Sequence, residues 1–160
     1  MKILGIDPGT ACVGWGIIEK NHNELSLVKS GCILTKSNLP LPDRLFKIYK
    51  QLLKIIKKYK PEAIACEEIF FFKNLKTAIA VSHARGIILL ATKIEKIPIF
   101  EYTPLQIKQA LTGFGRADKQ QVQKMVKLIL RLPYLPKPDD MADALACAIC
   151  HANFIKEFRI

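Results

Sequence analysis

Four acidic residues stand where a carboxylate has little structural reason to be. Asp7 ends the largely apolar run 1–6, and Glu67 ends a second apolar run, 63–66. Asp140 and Asp143 open an alanine-rich segment, and a spacing of three places them on one face of a helix. Carboxylates at the ends of buried strands repel one another unless a cation neutralises them. Taken together, the four residues predict a site for divalent metal.

The ligand types and the charge of the chain narrow the chemistry of that site. Hard oxygen ligands without a convergent His or Cys favour Mg²⁺, or Mn²⁺ as a substitute, over zinc. Two such ions about 4 Å apart activate water and stabilise the leaving oxygen in phosphodiester cleavage. The chain has 25 Lys+Arg against 14 Asp+Glu and a net charge of +11, which favours a nucleic-acid partner. The combination is typical of a metal-dependent nuclease.

Two of the acidic positions are doubled, so neighbouring residues compete for the same role. Because side chains alternate along a strand, only one of Glu67 and Glu68 points to the metal site, and we expect Glu67. The three-residue spacing to Asp143 favours Asp140 over Asp139, which is the expected N-cap of the last helix. Taken alone, Asp139, Asp140 or Asp143 is equally well explained as a complement to the helix dipole.

Composition indicates one domain that spans residues 1–160, with an ample apolar core. The five cysteines are odd in number and scattered through apolar stretches, so we expect reduced thiols in a cytoplasmic protein. The N-terminal run is not typical of a signal peptide, and no apolar run is long enough to span a bilayer. A membrane partner is therefore not expected.

The hydrophobic pattern predicts a mixed sheet flanked by helices. Three strands in quick succession predict an antiparallel meander, with a hairpin at residues 21–23. The next helix has an apolar stripe over residues 45–59, and the helix over 74–94 is apolar nearly all round, which is typical of a central helix or a subunit interface. The predicted strands are 2–7, 13–18, 25–34, 63–67 and 98–102, and three further helices begin at Pro104, after Asp118 and at about Asp139, the last ending near Phe158.

Several motifs in order resemble the RuvC family of bacterial Holliday junction resolvases. They are Gly-Ile-Asp-Pro-Gly-Thr with Asp7, Glu-Glu-Ile-Phe-Phe-Phe-Lys-Asn with Glu67, the basic segment 100–119, and Asp-Met-Ala-Asp-Ala-Leu with Asp140 and Asp143. The resemblance covers almost the whole chain. It implies an RNase H-like α/β fold, with three antiparallel strands and then two parallel ones in a five-stranded sheet. It also implies two Mg²⁺ ions per active site and cleavage of four-way DNA to 5′-phosphate and 3′-hydroxyl ends.

The same resemblance assigns DNA-binding roles and partners. Lys108 and Lys119 match lysines near the scissile phosphate, and Phe70 matches a phenylalanine that stacks on bases at the branch point. The partners that it implies are a four-way junction and the branch-migration proteins RuvA and RuvB. From their residue types alone, the further candidates for phosphate contacts are Lys73, Arg116 and, more weakly, Arg85.

Symmetric cutting of a junction needs two active sites, so we expect a C₂ homodimer with the 74–94 helix as its interface. Two alternatives stay open at this point. One is another RNase H-like nuclease that acts on RNA–DNA hybrid or precursor ribosomal RNA. The other is a junction-binding protein without catalysis, which uses the basic surface alone.

Overall fold

The structure is a computed structural model that describes residues 1–68 and 75–157. Strands and helices follow one another nearly as the hydrophobic pattern predicts. None of the helices in these ranges is long and apolar enough to cross a membrane. The elements are β1 (Lys2–Asp7), β2 (Cys12–Asn21), β3 (Glu24–Leu34), α1 (Leu41–Tyr59), β4 (Ala63–Glu67), α2 (Leu75–Ile94), β5 (Ile99–Tyr102), α3 (Pro104–Thr112), α4 (Lys119–Ile129) and α5 (Asp139–Glu157).

The five strands form one mixed sheet in the order β3-β2-β1-β4-β5. The β1–β2 and β2–β3 pairs are antiparallel, whereas β1–β4 and β4–β5 are parallel. A crossover through a helix is what a parallel neighbour requires, and α1 and α2 supply the two crossovers. The predicted sheet of three antiparallel and two parallel strands is confirmed. Its topology places the carboxyl ends of β1 and β4 side by side.

The two faces of the sheet carry separate cores. Helices α1 and α2 cover one face, where Leu4, Ile6 and Ile64 meet residues such as Ile48 and Ile88. Helices α3, α4 and α5 cover the other face, where Ile3, Ala65 and the buried residues of α5 lie. Because side chains alternate along a strand, the last residue of β1 and the last residue of β4 both belong to the α5 face.

Glycines in β1 and β2 let α5 lie close to the sheet. Gly5 and Gly16 are direct partners in the β1–β2 ladder, and Gly14 is opposite Asp7. A Cβ added at Gly5 would lie 1.9 Å from the carbonyl oxygen of Ala144, and one at Gly14 would lie 2.0 Å from that of Asp140. These separations are far below van der Waals contact, so the glycines fix how near α5 approaches.

Some element ends differ from the sequence prediction. Helix α1 begins at Leu41, before the apolar stripe, because Pro42 suits a first turn and Asp43 favours the helix N-terminus. Strands β2 and β3 extend to a two-residue turn at His22 and Asn23, longer than the predicted hairpin arms. The expectation that Asp139 is an N-cap is wrong, since α5 already includes it as its first residue.

Candidate active site

Asp7 and Glu67 lie at the ends of neighbouring parallel strands and belong to the same face of the sheet. The β1–β4 register pairs Ile6 with Cys66, so Asp7 and Glu67 are one residue further along each strand. Glu68 follows on the exposed side, and its backbone N–H donates to the carbonyl oxygen of Tyr102 at 2.9 Å. The alternation of the strand thus places Glu67, and not Glu68, beside Asp7.

Helix α5 brings the other two acids to these strand ends. Its first turns pass over β1 and β2, where the backbone and Cβ of Asp140 lie against Gly14. The charges of Asp140 and Asp143 both act on Asp7, as does that of Glu67. Four carboxylates that are far apart in sequence therefore converge where β1 and β4 end beneath α5.

Burial and mutual repulsion make Asp7, Glu67 and Asp143 hard to ionise. Burial, followed by the charges of Asp143, Glu67 and Asp140, raises the pKa of Asp7 to about 8. Burial and then Asp143 raise the pKa of Glu67 to about 7. Burial also raises the pKa of Asp143, although the Lys119 ammonium opposes the shift. A group of acids with such raised pKa values is a strong candidate for a functional site.

Two lysines lie on the open side of the carboxylates. The Nζ atom of Lys119 is 3.1 Å from Asp143 and 3.3 Å from Asp139, while Lys108 lowers the pKa of Glu67 together with Lys119. Burial opposes the charged form of Lys119, but the hydrogen bond and charge of Asp143, and then those of Asp139, raise its pKa overall. The cleft has a volume of about 240 Å³ and is lined by Glu67, Pro104, Ile107, Lys108, Lys119, Val122, Asp143 and Ala146.

Two capping boxes hold the helices that carry these lysines. The Thr103 side chain caps α3 with Gln106, and the Asp118 side chain caps α4 with Gln121, each pair bonding in both directions. Both start signals were predicted from the sequence and are confirmed. Because Lys119 is the first residue after the Asp118 cap, the cap sets where its ammonium enters the cleft.

The donor set suits a hard divalent cation. Every side chain that repels Asp7 here offers carboxylate oxygen, the ligand that Mg²⁺ and Mn²⁺ prefer. Across the described part of the chain, no three His, Cys, Asp or Glu side chains are gathered tightly enough for a ready-made metal cage. Lys119 lies among the acids instead and supplies positive charge. A cation would relieve the same repulsion, so the residues fit such an ion.

Asp139 and a pair of cysteines border the site. Asp139 is exposed, and a hydrogen bond from Gln123, followed by Lys119, lowers its pKa. Burial, followed by the Cys32 thiol and then the Asp140 carboxylate, raises the pKa of the Cys12 thiol well above its usual range. Both are free thiols on adjacent strands and are offset by two residues in the ladder, since Cys12 pairs with Leu34 and Cys32 pairs with Gly14.

The remaining DNA-binding candidates are placed very differently. Arg116 is exposed in the loop between α3 and α4. Arg85 forms an ion pair with Glu101, and its buried Nε has no hydrogen-bond partner among the described residues. Its partner Glu101 is opposite Cys66 in the ladder, so the pair lies on the α1–α2 side, away from the carboxylates. Phe70 and Lys73 lie outside the described residues.

Comparison of the sequence with known proteins identifies one family. The family described as "Crossover junction endodeoxyribonuclease RuvC" matches residues 3–151. A protein of that name from Desulforamulus reducens is 57% identical over 158 residues, covering 99% of this chain and 97% of the relative. One from Pelotomaculum thermopropionicum is 56% identical and covers 96% and 93% of the two chains.

The fold agrees with a solved structure of the same family. Thermus thermophilus RuvC in complex with a Holliday junction substrate superposes with a TM-score of 0.93 at 36% identity. The match covers 98% of this chain and 96% of that one. The RNase H-like fold class predicted from the sequence is confirmed, and the family implies dependence on a divalent metal. This chain belongs to the RuvC family of crossover junction endodeoxyribonucleases.

Proposed function

We propose that this protein is an endonuclease that resolves four-way DNA junctions in recombination and repair, leaving 5′-phosphate and 3′-hydroxyl ends. The observation that carries the proposal is the convergence of Asp7, Glu67 and Asp143 beside a cleft that Lys108 and Lys119 also line. The similarity to RuvC proteins selects a DNA junction as substrate. Nothing in the site favours RNA–DNA hybrid, ribosomal RNA precursors or binding without cleavage.

Asp7, Glu67, Asp140 and Asp143 are the residues that would hold the metal. We propose two Mg²⁺ ions per site, with Mn²⁺ as a possible substitute. Bound divalent ions supply activation of water and stabilisation of the leaving oxygen in phosphodiester hydrolysis. The half-buried carboxylates would hold these charges at the end of the sheet, which is how a protein prepares electrostatic stabilisation before the substrate arrives.

The lysines act on the phosphate that is cut. Lys108 and Lys119 line the cleft together with Glu67 and Asp143, so a phosphate there lies between cationic and metal-binding groups. Lys119 has to exchange its contacts with Asp139 and Asp143 for the phosphate or share them. Either way its ammonium offsets negative charge that develops on the phosphoryl oxygens. Arg116, Lys73 and Phe70 remain proposed DNA contacts, and Arg85 is a weaker one because Glu101 already neutralises it.

We infer a homodimer that uses α2. The helix exposes apolar side chains along one stripe, with Ile79 52%, Leu90 53% and Ile94 52% exposed. Gly86 lies on the same stripe, and a Cβ there would meet nothing within 4 Å. Two copies related by a twofold axis would cover this stripe and supply the two active sites that symmetric cutting needs.

The wider setting follows from the family and remains a proposal. We propose that residues 1–160 form one nuclease domain that acts in the cytoplasm on junctions handled by RuvA and RuvB. Net charge of +11 supports a role on DNA, because phosphate neutralisation dominates such binding.

The decisive experiment compares substrates and one substitution. The wild-type protein is incubated with Mg²⁺ and a four-way DNA junction, a linear duplex or an RNA–DNA hybrid, and Asp7→Asn is assayed beside it. We expect cleavage of the junction alone and its loss in Asp7→Asn, with DNA affinity unchanged or tighter because a repulsive charge is removed. Preferred cutting of the hybrid, or junction cleavage that survives Asp7→Asn, contradicts the proposal.

A further inference from the structure

The loop between α3 and α4 exposes an aromatic side chain in a polar, cationic setting. Phe114 stands between Gly113 and Gly115, and 59% of it is exposed to solvent. An exposed aromatic ring on a surface loop offers a flat apolar face on which a nucleobase can stack. The similarity to known resolvases did not point to this residue.

The backbone of Phe114 is held firmly although its ring is free. Its N–H donates to the Thr112 hydroxyl at 3.1 Å, and its carbonyl accepts from Ala117 N–H at 3.1 Å. The Thr112 Oγ1 atom also lies 2.9 Å from the Phe114 carbonyl and 2.8 Å from that of Lys108, one of which takes its single proton. A loop ordered before binding loses little conformational freedom when it binds.

Close packing fixes the same loop onto the start of α3. A Cβ added at Gly115 would lie 2.5 Å from Cδ1 of Leu105, so the loop rests on that side chain. Gly113 adopts a positive φ of 73° as the C-cap of α3, which turns the chain out of the helix at this point. The ring of Phe114 therefore projects from a short, well-supported turn.

Three basic residues, which are proposed phosphate contacts, lie within six residues of Phe114 in the sequence. The loop joins the helices that carry Lys108 and Lys119, both of which line the carboxylate cleft. Arg116 is exposed two residues after Phe114. An exposed apolar ring with basic residues close to it in the sequence matches single-stranded nucleic acid, where bases offer flat faces and phosphates offer charge.

We propose that Phe114 stacks on an unpaired or unstacked nucleobase of the junction next to the phosphate that is cut. This role deepens the proposed function and rests on it. Lys108 and Lys119 hold the backbone in the cleft, while Phe114 fixes an adjacent base and so sets which phosphate reaches the carboxylates. Phe114 is thus a positioning residue, and its stacking partner is a base that has left the helical stack.

Junctions that carry 2-aminopurine at single positions around the cleavage point test this role, because its fluorescence reports stacking directly. The variants are Phe114→Ala, Phe114→Trp and, as a matched control, Leu128→Ala, which removes a side chain that is 67% exposed on α4. Binding is measured without divalent metal, and single-turnover cleavage is measured with Mg²⁺.

We expect the fluorescence change at one position to be lost in Phe114→Ala and kept in Phe114→Trp. The cleavage rate of Phe114→Ala should fall roughly 5- to 150-fold, the loss expected for one base–aromatic stack, while Leu128→Ala stays within about twofold of wild type. If Phe114→Ala shows the same fluorescence change on binding as wild type, the stacking role is overturned even if the cleavage rate falls. If wild type cleaves the junction but the stacking role of Phe114 is overturned, the proposed function stands. If wild type does not cleave the junction, the proposed function and the stacking role are both overturned.

Discussion

The two faces of the sheet are built from different side chains and do different work. On the α5 face, glycines of β1 and β2 meet a helix whose buried residues are mostly small, such as Ala142, Ala144 and Ala148. On the α1–α2 face, large side chains such as Ile48 and Ile88 fill the space between helix and sheet. The first arrangement brings backbones close together, whereas the second leaves α2 further out.

This difference explains where function lies. Close approach of α5 carries Asp140 and Asp143 to the ends of β1 and β4, where burial and repulsion raise the pKa values of Asp7 and Asp143. The α2 side presents an apolar stripe to solvent, which suits a second copy of the chain. A tight face thus forms the candidate active site, and a looser face forms the candidate interface.

The largest effect should separate two adjacent glutamates on opposite faces. We expect Glu67→Gln to lower single-turnover junction cleavage at least about 100-fold, because the lost charge is a proposed metal ligand. Glu68→Gln removes the same charge from the exposed neighbour and should stay within about twofold of wild type. Equal losses in the two variants would show that the alternation of β4 does not decide the ligand.

The next effect concerns the interface. Leu90→Glu places a charge on the α2 stripe of both partners, so we expect the dimer dissociation constant to rise at least about 100-fold. Analytical ultracentrifugation measures the change, and Leu128→Glu on α4 is the control at a similarly exposed site. If Leu128→Glu raises the dimer dissociation constant and Leu90→Glu does not, the interface lies on the α5 face instead.

We expect a small change in side-chain volume to destabilise the protein more on the α5 face than on the α1–α2 face. Gly5→Ala forces a Cβ against the Ala144 carbonyl and should destabilise the fold by about 2–3 kcal/mol. Ile64→Val on the α1–α2 face should cost only about 1 kcal/mol. Denaturant unfolding at one protein concentration measures both, and a smaller loss for Gly5→Ala would mean that α5 can shift outward.

The smallest effect is a pH dependence that comes from the acid cluster. Asp7 and Glu67 have pKa values raised to about 8 and about 7 in the folded protein, so that state binds more protons than the unfolded chain. Their contribution is fully present at low pH and is lost as pH rises through these values. In chelator, the melting temperature should therefore fall by a few degrees between about pH 7 and about pH 8.

Two comparisons sharpen that measurement. Asp7→Asn should flatten the slope, whereas Asp139→Asn should leave it unchanged because the pKa of Asp139 is lowered rather than raised. Burial lowers the pKa of His151 to about 4 in the folded protein, so His151 makes stability rise with pH at acidic pH. The range from about pH 7 to about pH 8 lies above the pKa of His151 in the unfolded chain, so His151 does not affect the slope there. Stability that rises with pH in this range would contradict the proposed repulsion.

Element types were predictable because local patterns decide them. The apolar run of β4, the stripe of α1 and the two capping boxes each act within a few residues. The ends of β2 and β3 were less predictable because pairing across a hairpin extended them beyond their apolar residues. The first turn of α1 was missed for a similar reason, since it has no apolar stripe of its own.

The sequence by itself determined which acids, lysines and apolar runs the chain has to place, and their order matched a known family. Alternation along β4 indicated that only one of Glu67 and Glu68 faces the metal site, and Glu67 as the ligand stays a prediction. Only the tertiary structure decided that Arg85 is paired with Glu101, that Cys12 contacts Asp140, and that Phe114 projects from a fixed loop. Those outcomes depend on contacts between residues distant in sequence or on how a loop packs, which no local pattern specifies.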